Sequence, residues 1–205
     1  MKKINKKKQK ISSFLKKPAA FLDRDGTINY DYGYVYKYSE FKLRPHVLKG
    51  LEYLTKNKYL IFIVTNQAGI AKGKFKISDL RKLHKKVINF FIKRGITIKE
   101  IQYCPYHPEA IINKYKKKTK LRKPGNLMIK NLKRKWNIDI KRSFMIGDKK
   151  SDKIAALRSK LHFEYVKKNF YKQVKKIVEK KPSNYLWFFH YYKKKYLLTH
   201  LSLYQ

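Results

Sequence analysis

Short apolar runs alternate along this chain with stretches in which apolar residues recur every three or four positions. Ala19 to Leu22, Leu60 to Val64, Ser143 to Ile146 and Leu161 to Val166 are of the first kind, and a shorter run lies near Ile101 to Tyr103. They are too brief for helices, and they predict strands with both faces covered. The second kind predicts helices. From His46 to Asn57 the apolar positions are Val47, Leu48, Leu51 and Leu54. From Ser78, a residue suited to cap a helix, to about Arg94 they are Leu80, Leu83, Val87, Phe90 and Phe91, with Gly95 as the stop. A helix from Pro124 to Trp136 has its proline in the first turn, and another begins near Ser151. Strand and helix in regular alternation predict a central parallel sheet with helices on both faces, a Rossmann-like three-layer α/β/α architecture.

Two segments fit neither period. Asn29 to Tyr34, rich in Tyr and Gly, reads as a loop, and Pro105 to Lys123 reads as an irregular basic loop. The expected organisation is a disordered lysine tail over residues 1–17, one domain over 18–168, and a lysine- and aromatic-rich extension over 169–205. Within that extension a lysine-rich helix, a break at Pro182-Ser183-Asn184 and an aromatic terminal segment are expected.

Charge changes this picture less than its size suggests. The 205 residues carry 53 Lys and Arg against 13 Asp and Glu, a net charge of +40. Such a field attracts phosphates, nucleic acid or anionic membrane surfaces. The lysines are spread through nearly every segment instead of forming one patch, which favours a small anionic substrate over a dedicated nucleic-acid surface. The single cysteine, Cys104, excludes an intramolecular disulfide. No apolar h-region follows the basic first residues, and no apolar run approaches the roughly 20 residues that span a bilayer. A cytoplasmic monomer is expected.

The candidate chemistry lies at the ends of the predicted strands. Asp23 and Asp25 follow the first, Thr65 and Asn66 end the second, Arg122 and Lys123 close the basic loop, and Asp148 and Asp152 follow the strand ending at Ile146. In a parallel sheet the carboxyl ends of strands share one edge, where ligands bind. There Asp23 and Asp148 can hold Mg2+, Thr65 and Asn66 can donate to phosphate oxygens, and Lys123 can neutralise charge as a phosphoryl group transfers. Asp25 can protonate a leaving oxygen and later activate water. Taken singly each cluster is ordinary: Asp-x-Asp-Gly is also turn chemistry, and Asp148 could simply cap the next helix. His46, His84, His162, His190 and His200 have no partner pattern and read as structural.

Taken together, Asp23-Arg24-Asp25-Gly26-Thr27, Thr65-Asn66-Gln67, Arg122-Lys123-Pro124 and Gly147-Asp148-Lys149 with Asp152 resemble, in order, the four motifs of the haloacid dehalogenase superfamily of phosphohydrolases. Asp31-Tyr32-Gly33-Tyr34-Val35, Ala68-Gly69-Ile70-Ala71 and Lys72-Gly73-Lys74-Phe75 narrow the resemblance to the subfamily of heptose-bisphosphate and histidinol-phosphate phosphatases. It covers about residues 19 to 160. The resemblance implies that Asp23 is a nucleophile forming an aspartyl-phosphate and that Asp25 is the general acid and base. It implies that Asp23, the Asp25 backbone carbonyl and Asp148 bind Mg2+. Thr65, Asn66 and Lys123 would hold the phosphate, with Gln67 and Ala68 beside them. Asp31, Tyr32, Gly33, Tyr34, Arg122 and Lys149 would meet the rest of a small phosphorylated sugar. Nothing between the motifs is long enough for a separate cap domain.

One departure stands out. The subfamily often carries a zinc loop of the form Cys-x-His, then Cys-x-Cys before Arg-Lys-Pro. Here Tyr106, Thr119 and Leu121 replace three of the ligands, leaving at most Cys104 and His107, so no structural zinc is expected. Two other readings stand beside the sugar phosphatase: a polynucleotide 3'-phosphatase, which would use the basic surface, and a non-catalytic basic binding protein.

Overall fold

The computed structural model of the chain describes residues 16–180. Five strands, β1 (Lys17–Leu22), β2 (Leu60–Asn66), β3 (Ile98–Cys104), β4 (Ile138–Gly147) and β5 (His162–Tyr165), pair in the order β3-β2-β1-β4-β5. Every pairing is parallel. The helices are α1 (Val47–Lys56), α2 (Ala68–Ala71), α3 (Ile77–Ile92), α4 (Leu127–Lys135), α5 (Lys150–Arg158) and α6 (Phe170–Glu179). The chain winds outward from β1 through β2 to β3, then returns to lay β4 on the other side of β1. That reversal opens a crevice beyond the carboxyl ends of β1 and β4, where open α/β sheets take their ligands.

The side-chain period of two divides the core between two faces. Ala20, Leu22, Ile61 and Ile63 join Val47, Leu51 and Leu54 of α1, Leu83, Val87 and Phe91 of α3, and Phe170, Val174 and Ile177 of α6. Ala19, Phe21, Leu60, Phe62 and Val64 join Met128, Ile129 and Leu132 of α4 and Ala155 and Ala156 of α5. The three-layer architecture expected from the alternation is therefore present.

Several boundaries differ for identifiable reasons. β1 starts at Lys17, inside the stretch expected to be tail, because Lys17 and Pro18 pair with Ile138 and Asp139 of a longer β4. β3 also runs beyond its apolar run, since its pairing with β2 extends from Ile98 to Cys104. Ser78 does not cap α3. The Asp79 carboxylate accepts from the Lys76 backbone at 2.9 Å and fixes the start two residues earlier, as an acid in a first helical turn is suited to do. Pro124 precedes α4 by three residues, and a turn with Gly125 N donating to Arg122 O at 2.7 Å separates them.

The core also continues past the boundary expected at residue 168. Asn169 caps α6 by accepting from Lys172 N at 2.9 Å, and Phe170 lies in the shared core, fully covered. Its ring fills the space over Gly50 of α1, where a Cβ would collide with it. The Pro182 break and the terminal aromatics lie outside the described residues. Among the described residues, no helix is long and apolar enough to cross a membrane.

Because Phe170 seals the α1–α6 contact, Phe170→Ala is expected to destabilise the fold by about 3–5 kcal/mol, the range for emptying an aromatic site. Urea unfolding should show the loss as a lower midpoint at unchanged slope; a midpoint equal to wild type would mean that α6 is dispensable.

Candidate active site

The carboxyl ends of β1, β2 and β4 surround a cleft of about 590 Å³. Its walls include Asp23, Asp25, Asp31, Gly33, Tyr34, Thr65, Asn66, Gln67, Ala68, Arg122, Lys123 and Lys149, which are the expected site residues with two exceptions. Asp148 sits behind the wall, within the carboxylate cluster described below. Tyr32 stands away from the cleft with about two-thirds of its surface exposed and lines a neighbouring groove.

Asp23 leaves β1 at the point where its backbone N–H still donates to Ile146 O of β4, at 3.0 Å. That bond ties the two strand ends together and brings Asp148, the next residue but one, alongside. The chain then turns through Gly26 at φ +84°, and a Cβ there would overlap the Asp148 carboxylate. A glycine is thus required twice over, for the backbone angle and for the approach. Oxygens of Asp23, Asp148 and Asp152 all lie within 4.8 Å of one another.

Lys123 enters this cluster from the loop before α4. Its Nζ is 2.6 Å from Asp23 Oδ1, 2.6 Å from Asp152 Oδ1 and 2.8 Å from Val64 O. All three side chains are buried. Burial pulls the Lys123 ammonium down, but Asp23 and Asp152 outweigh it, and the net shift is upward. Burial also dominates at Asp23, which is raised to about 7 because Asp152 and Asp25 partly cancel the help from Lys123. Asp148 is raised as well, by burial above all.

Lys123 inside the cluster and Lys149, whose Nζ stands 4.0 Å from Asp148 Oδ2, are two ammonium groups against three carboxylates, and Asp148 Oδ1 is buried with no hydrogen-bond partner among the described residues. An orphaned carboxylate oxygen beside two other carboxylates is the donor set of a hard divalent cation such as Mg2+. The residues present fit that ion.

Asp25 faces a different environment. Its Oδ1 accepts from Arg24 Nε at 3.0 Å, Arg24 Nη2 at 2.9 Å and Asn29 Nδ2 at 2.9 Å. Its Oδ2 accepts from Arg24 Nη2 at 2.9 Å and Gln67 Nε2 at 2.8 Å. Gln67 also donates to Thr65 Oγ1, at 2.9 Å, so the end of β2 and the turn after β1 are held by one amide.

Some side chains do other work than the sequence suggests. Asn66 lines the cleft, but its Nδ2 donates to Lys123 O at 2.9 Å and its Oδ1 accepts from Lys123 N at 3.0 Å. In this arrangement the amide seats the Lys123 backbone. Asp148 does not cap α5. Asp152 does, with Oδ2 accepting from Lys149 N at 3.0 Å while Oδ1 faces Lys123. Asp152 was legible as part of a motif, and its acid in a first helical turn was the available signal. Arg24, flanked by two acids at a strand end, carried no sign that it is fully buried.

At the rim, Lys149 Nζ meets Asp31 Oδ2 at 3.1 Å, bridging the loop after β1 to the start of α5. Arg122 is half-buried and lines the cleft, while its Nη1 is itself buried and lacks a hydrogen-bond partner among the described residues. The basic loop behind it is joined by His107 N donating to Tyr115 O at 3.1 Å and Lys117 N donating to His107 O at 3.3 Å. The Cys104 thiol points to Tyr106 O, and His107 Nδ1 accepts from Glu109 N.

Comparison with known proteins places this geometry. The family described as polynucleotide kinase 3 phosphatase matches residues 17–186. A Rhodopseudomonas palustris protein named D-glycero-beta-D-manno-heptose-1,7-bisphosphate 7-phosphatase is 40% identical over 141 residues, which cover 69% of this chain and 78% of that protein. A Photorhabdus laumondii protein of the same name is 42% identical over 144 residues, 70% and 77% of the two chains. Among solved structures, a HAD-like phosphatase from Mesorhizobium loti superposes with a TM-score of 0.72 at 26% identity, over 80% of this chain and 87% of that one. The fold is shared too by the D,D-heptose 1,7-bisphosphate phosphatase of B. bronchiseptica, solved with magnesium and phosphate, at a TM-score of 0.70, 22% identity, and 79% and 98% coverage. With its four motif clusters converged on one cleft and its sequence matched over most of its length, the chain belongs to the haloacid dehalogenase superfamily of phosphohydrolases.

Proposed function

We propose that this enzyme removes one phosphate from a small sugar bisphosphate, with D-glycero-beta-D-manno-heptose 1,7-bisphosphate losing its 7-phosphate as the leading substrate. The observation that carries the reading is the buried Lys123 held between Asp23 and Asp152 at the floor of a cleft whose rim offers Arg122 and Lys149. The names of the relatives supply the substrate. In the cell this would be a cytoplasmic step in the supply of heptose for lipopolysaccharide.

In this reading an Asp23 oxygen attacks the phosphorus, and the bond from phosphorus to the sugar oxygen breaks. Asp25 gives the departing oxygen its proton, then takes a proton from the water that attacks the aspartyl-phosphate, releasing phosphate and restoring Asp23. Lys123 and Thr65 hold the transferring group, and Asn66 keeps Lys123 in place. Arg122 and Lys149, with Asp31, Gly33 and Tyr34, receive the remainder of the substrate, whose second phosphate suits a rim that carries two cationic side chains. Asp23, Asp148 and the Asp25 backbone carbonyl would hold Mg2+, supported by Asp152. When bound, the ion supplies positive charge to the carboxylates and phosphoryl oxygens. No zinc is required in the basic loop.

The charge and the family description favour a second reading, a 3'-phosphorylated polynucleotide as substrate. Turnover of such oligonucleotides without turnover of sugar phosphates, falling steeply with salt, would select it.

Asp23→Asn is expected to abolish phosphate release, by about 1,000-fold or more, as for loss of a covalent nucleophile. The wild type should prefer heptose 1,7-bisphosphate to histidinol phosphate by about 100-fold in kcat/KM, and the reverse order would reassign the substrate. Mg2+ should raise the melting temperature of the wild type by several degrees. Asp148→Asn should lose that response while staying folded, because it removes one repelling carboxylate. A Mg2+ shift retained in full by Asp148→Asn would place the ion elsewhere.

A further inference from the structure

Resting on the assignment of Asp25 as acid and base, we propose that His84 is a positioning residue for the reaction, fixing Asp25 through the buried guanidinium of Arg24. His84 is outside every motif read from the sequence, on α3, and it does not line the cleft.

Arg24 is fully buried, and arginine does not shed its proton in proteins, so each of its N–H groups needs an acceptor. Nε and Nη2 find theirs in the Asp25 carboxylate, and Nη2 also donates to Val35 O at 2.6 Å. Nη1 turns the other way and donates to His84 Nε2 at 3.1 Å. The guanidinium is planar, so its two ends cannot be set independently. The acceptor at Nη1 therefore fixes the plane in which Nε and Nη2 present themselves to Asp25.

The imidazole is suited to that task and to no proton transfer. To accept from a guanidinium, Nε2 must be bare, which puts the proton on Nδ1 of a neutral ring. Burial, and after it the Arg24 charge, push the His84 pKa down to about 3, so the ring stays neutral at any ordinary working pH. Its place is fixed from both sides. Leu83, Val87 and Phe91 anchor α3 in the core, and the ring packs edge-on against Tyr103 of β3, with centroids 5.7 Å apart. Rigid secondary structure thus reaches Asp25 through two hydrogen-bonded contacts, α3 to Arg24 and Arg24 to carboxylate. Partners of this kind, which orient a reacting group without touching substrate, commonly matter by 10- to 100-fold.

The test compares His84→Leu, which keeps bulk but has no acceptor, with His84→Gln, whose amide oxygen can stand near the lost Nε2. With heptose 1,7-bisphosphate, His84→Leu should lower kcat about 10-fold and leave KM within about twofold, and His84→Gln should recover most of the loss. Added to Arg24→Met, His84→Leu should cost nothing further, since it acts only through Arg24. Urea unfolding of each variant confirms that folded protein is being compared. A second measurement needs neither turnover nor a variant: nitrogen-15 spectra of His84 should show a neutral Nδ1–H ring from pH 5 to 8. A wild-type kcat in folded His84→Leu, a Gln variant no better than Leu, or an Nε2–H or charged ring at pH 6 would each overturn the proposal. Absence of phosphatase activity in the wild type would instead overturn the assignment of Asp25, leaving the ring's tautomer to decide whether His84 orients Arg24.

Discussion

The buried ammonium of Lys123 is the constraint around which the rest of the site is arranged. Carboxylates gathered at the strand ends repel one another, and without a cation the floor of the cleft would hold three of them within a few ångströms. Removing one partner from a buried pair costs about 3–5 kcal/mol, so the position of Lys123 has to be secured from outside the cluster. Two features secure it. Asn66 grips its backbone on both sides, and Val64 O takes a third bond from the ammonium. The turn before α4 is the means by which a lysine a hundred residues from Asp23 reaches it at 2.6 Å.

What the sequence disclosed, and what it did not, follows from the range of the forces involved. The layers were legible because burial on two faces leaves unbroken apolar runs such as Leu60 to Val64, and burial on one leaves the spacing Leu80, Leu83, Val87. Their carboxyl ends then located the cleft. Boundaries decided by a partner were not legible. Lys17 belongs to β1 only because β4 extends to Ile138, and Phe170 belongs to the core only because Gly50 leaves room for its ring. The same holds in the site. Asp23, Asp25 and Asp148 could be picked out by position, whereas the part Asn66 plays in seating Lys123 could not, because its bonds to Lys123 cross 57 residues of chain. Arg24 and His84 meet across 60, and nothing local in either marks the contact.

The net charge of +40 also acquires a clearer meaning. Of the 13 acidic residues, five (Asp23, Asp25, Asp31, Asp148 and Asp152) stand at the cleft or behind its wall. The floor is therefore locally acidic within a strongly basic molecule. In the proposed function a divalent cation would be drawn to the floor, and an anionic substrate first to the rim, where Arg122 and Lys149 stand. The outer charge acts on encounter and is screened by salt within about 10 Å at moderate ionic strength, whereas the inner pairs, being buried, are screened far less.

In the proposed mechanism, two buried cations account for the separate tasks of two carboxylates that stand two residues apart. Asp23 is opposed by neighbouring carboxylates, paired to Lys123 on one oxygen and open to the cleft. Asp25 is gripped on both oxygens by Arg24, with Asn29 and Gln67 completing the set. A group that must attack benefits from an oxygen kept free, and a group that must hand a proton to one partner and take it from another benefits from fixed orientation. Environments that differ in this way are how a single fold runs nucleophilic and acid–base chemistry side by side. The glycine turn at Gly26 allows both to face one cleft, and in the proposed mechanism the cation beside each one sets its role.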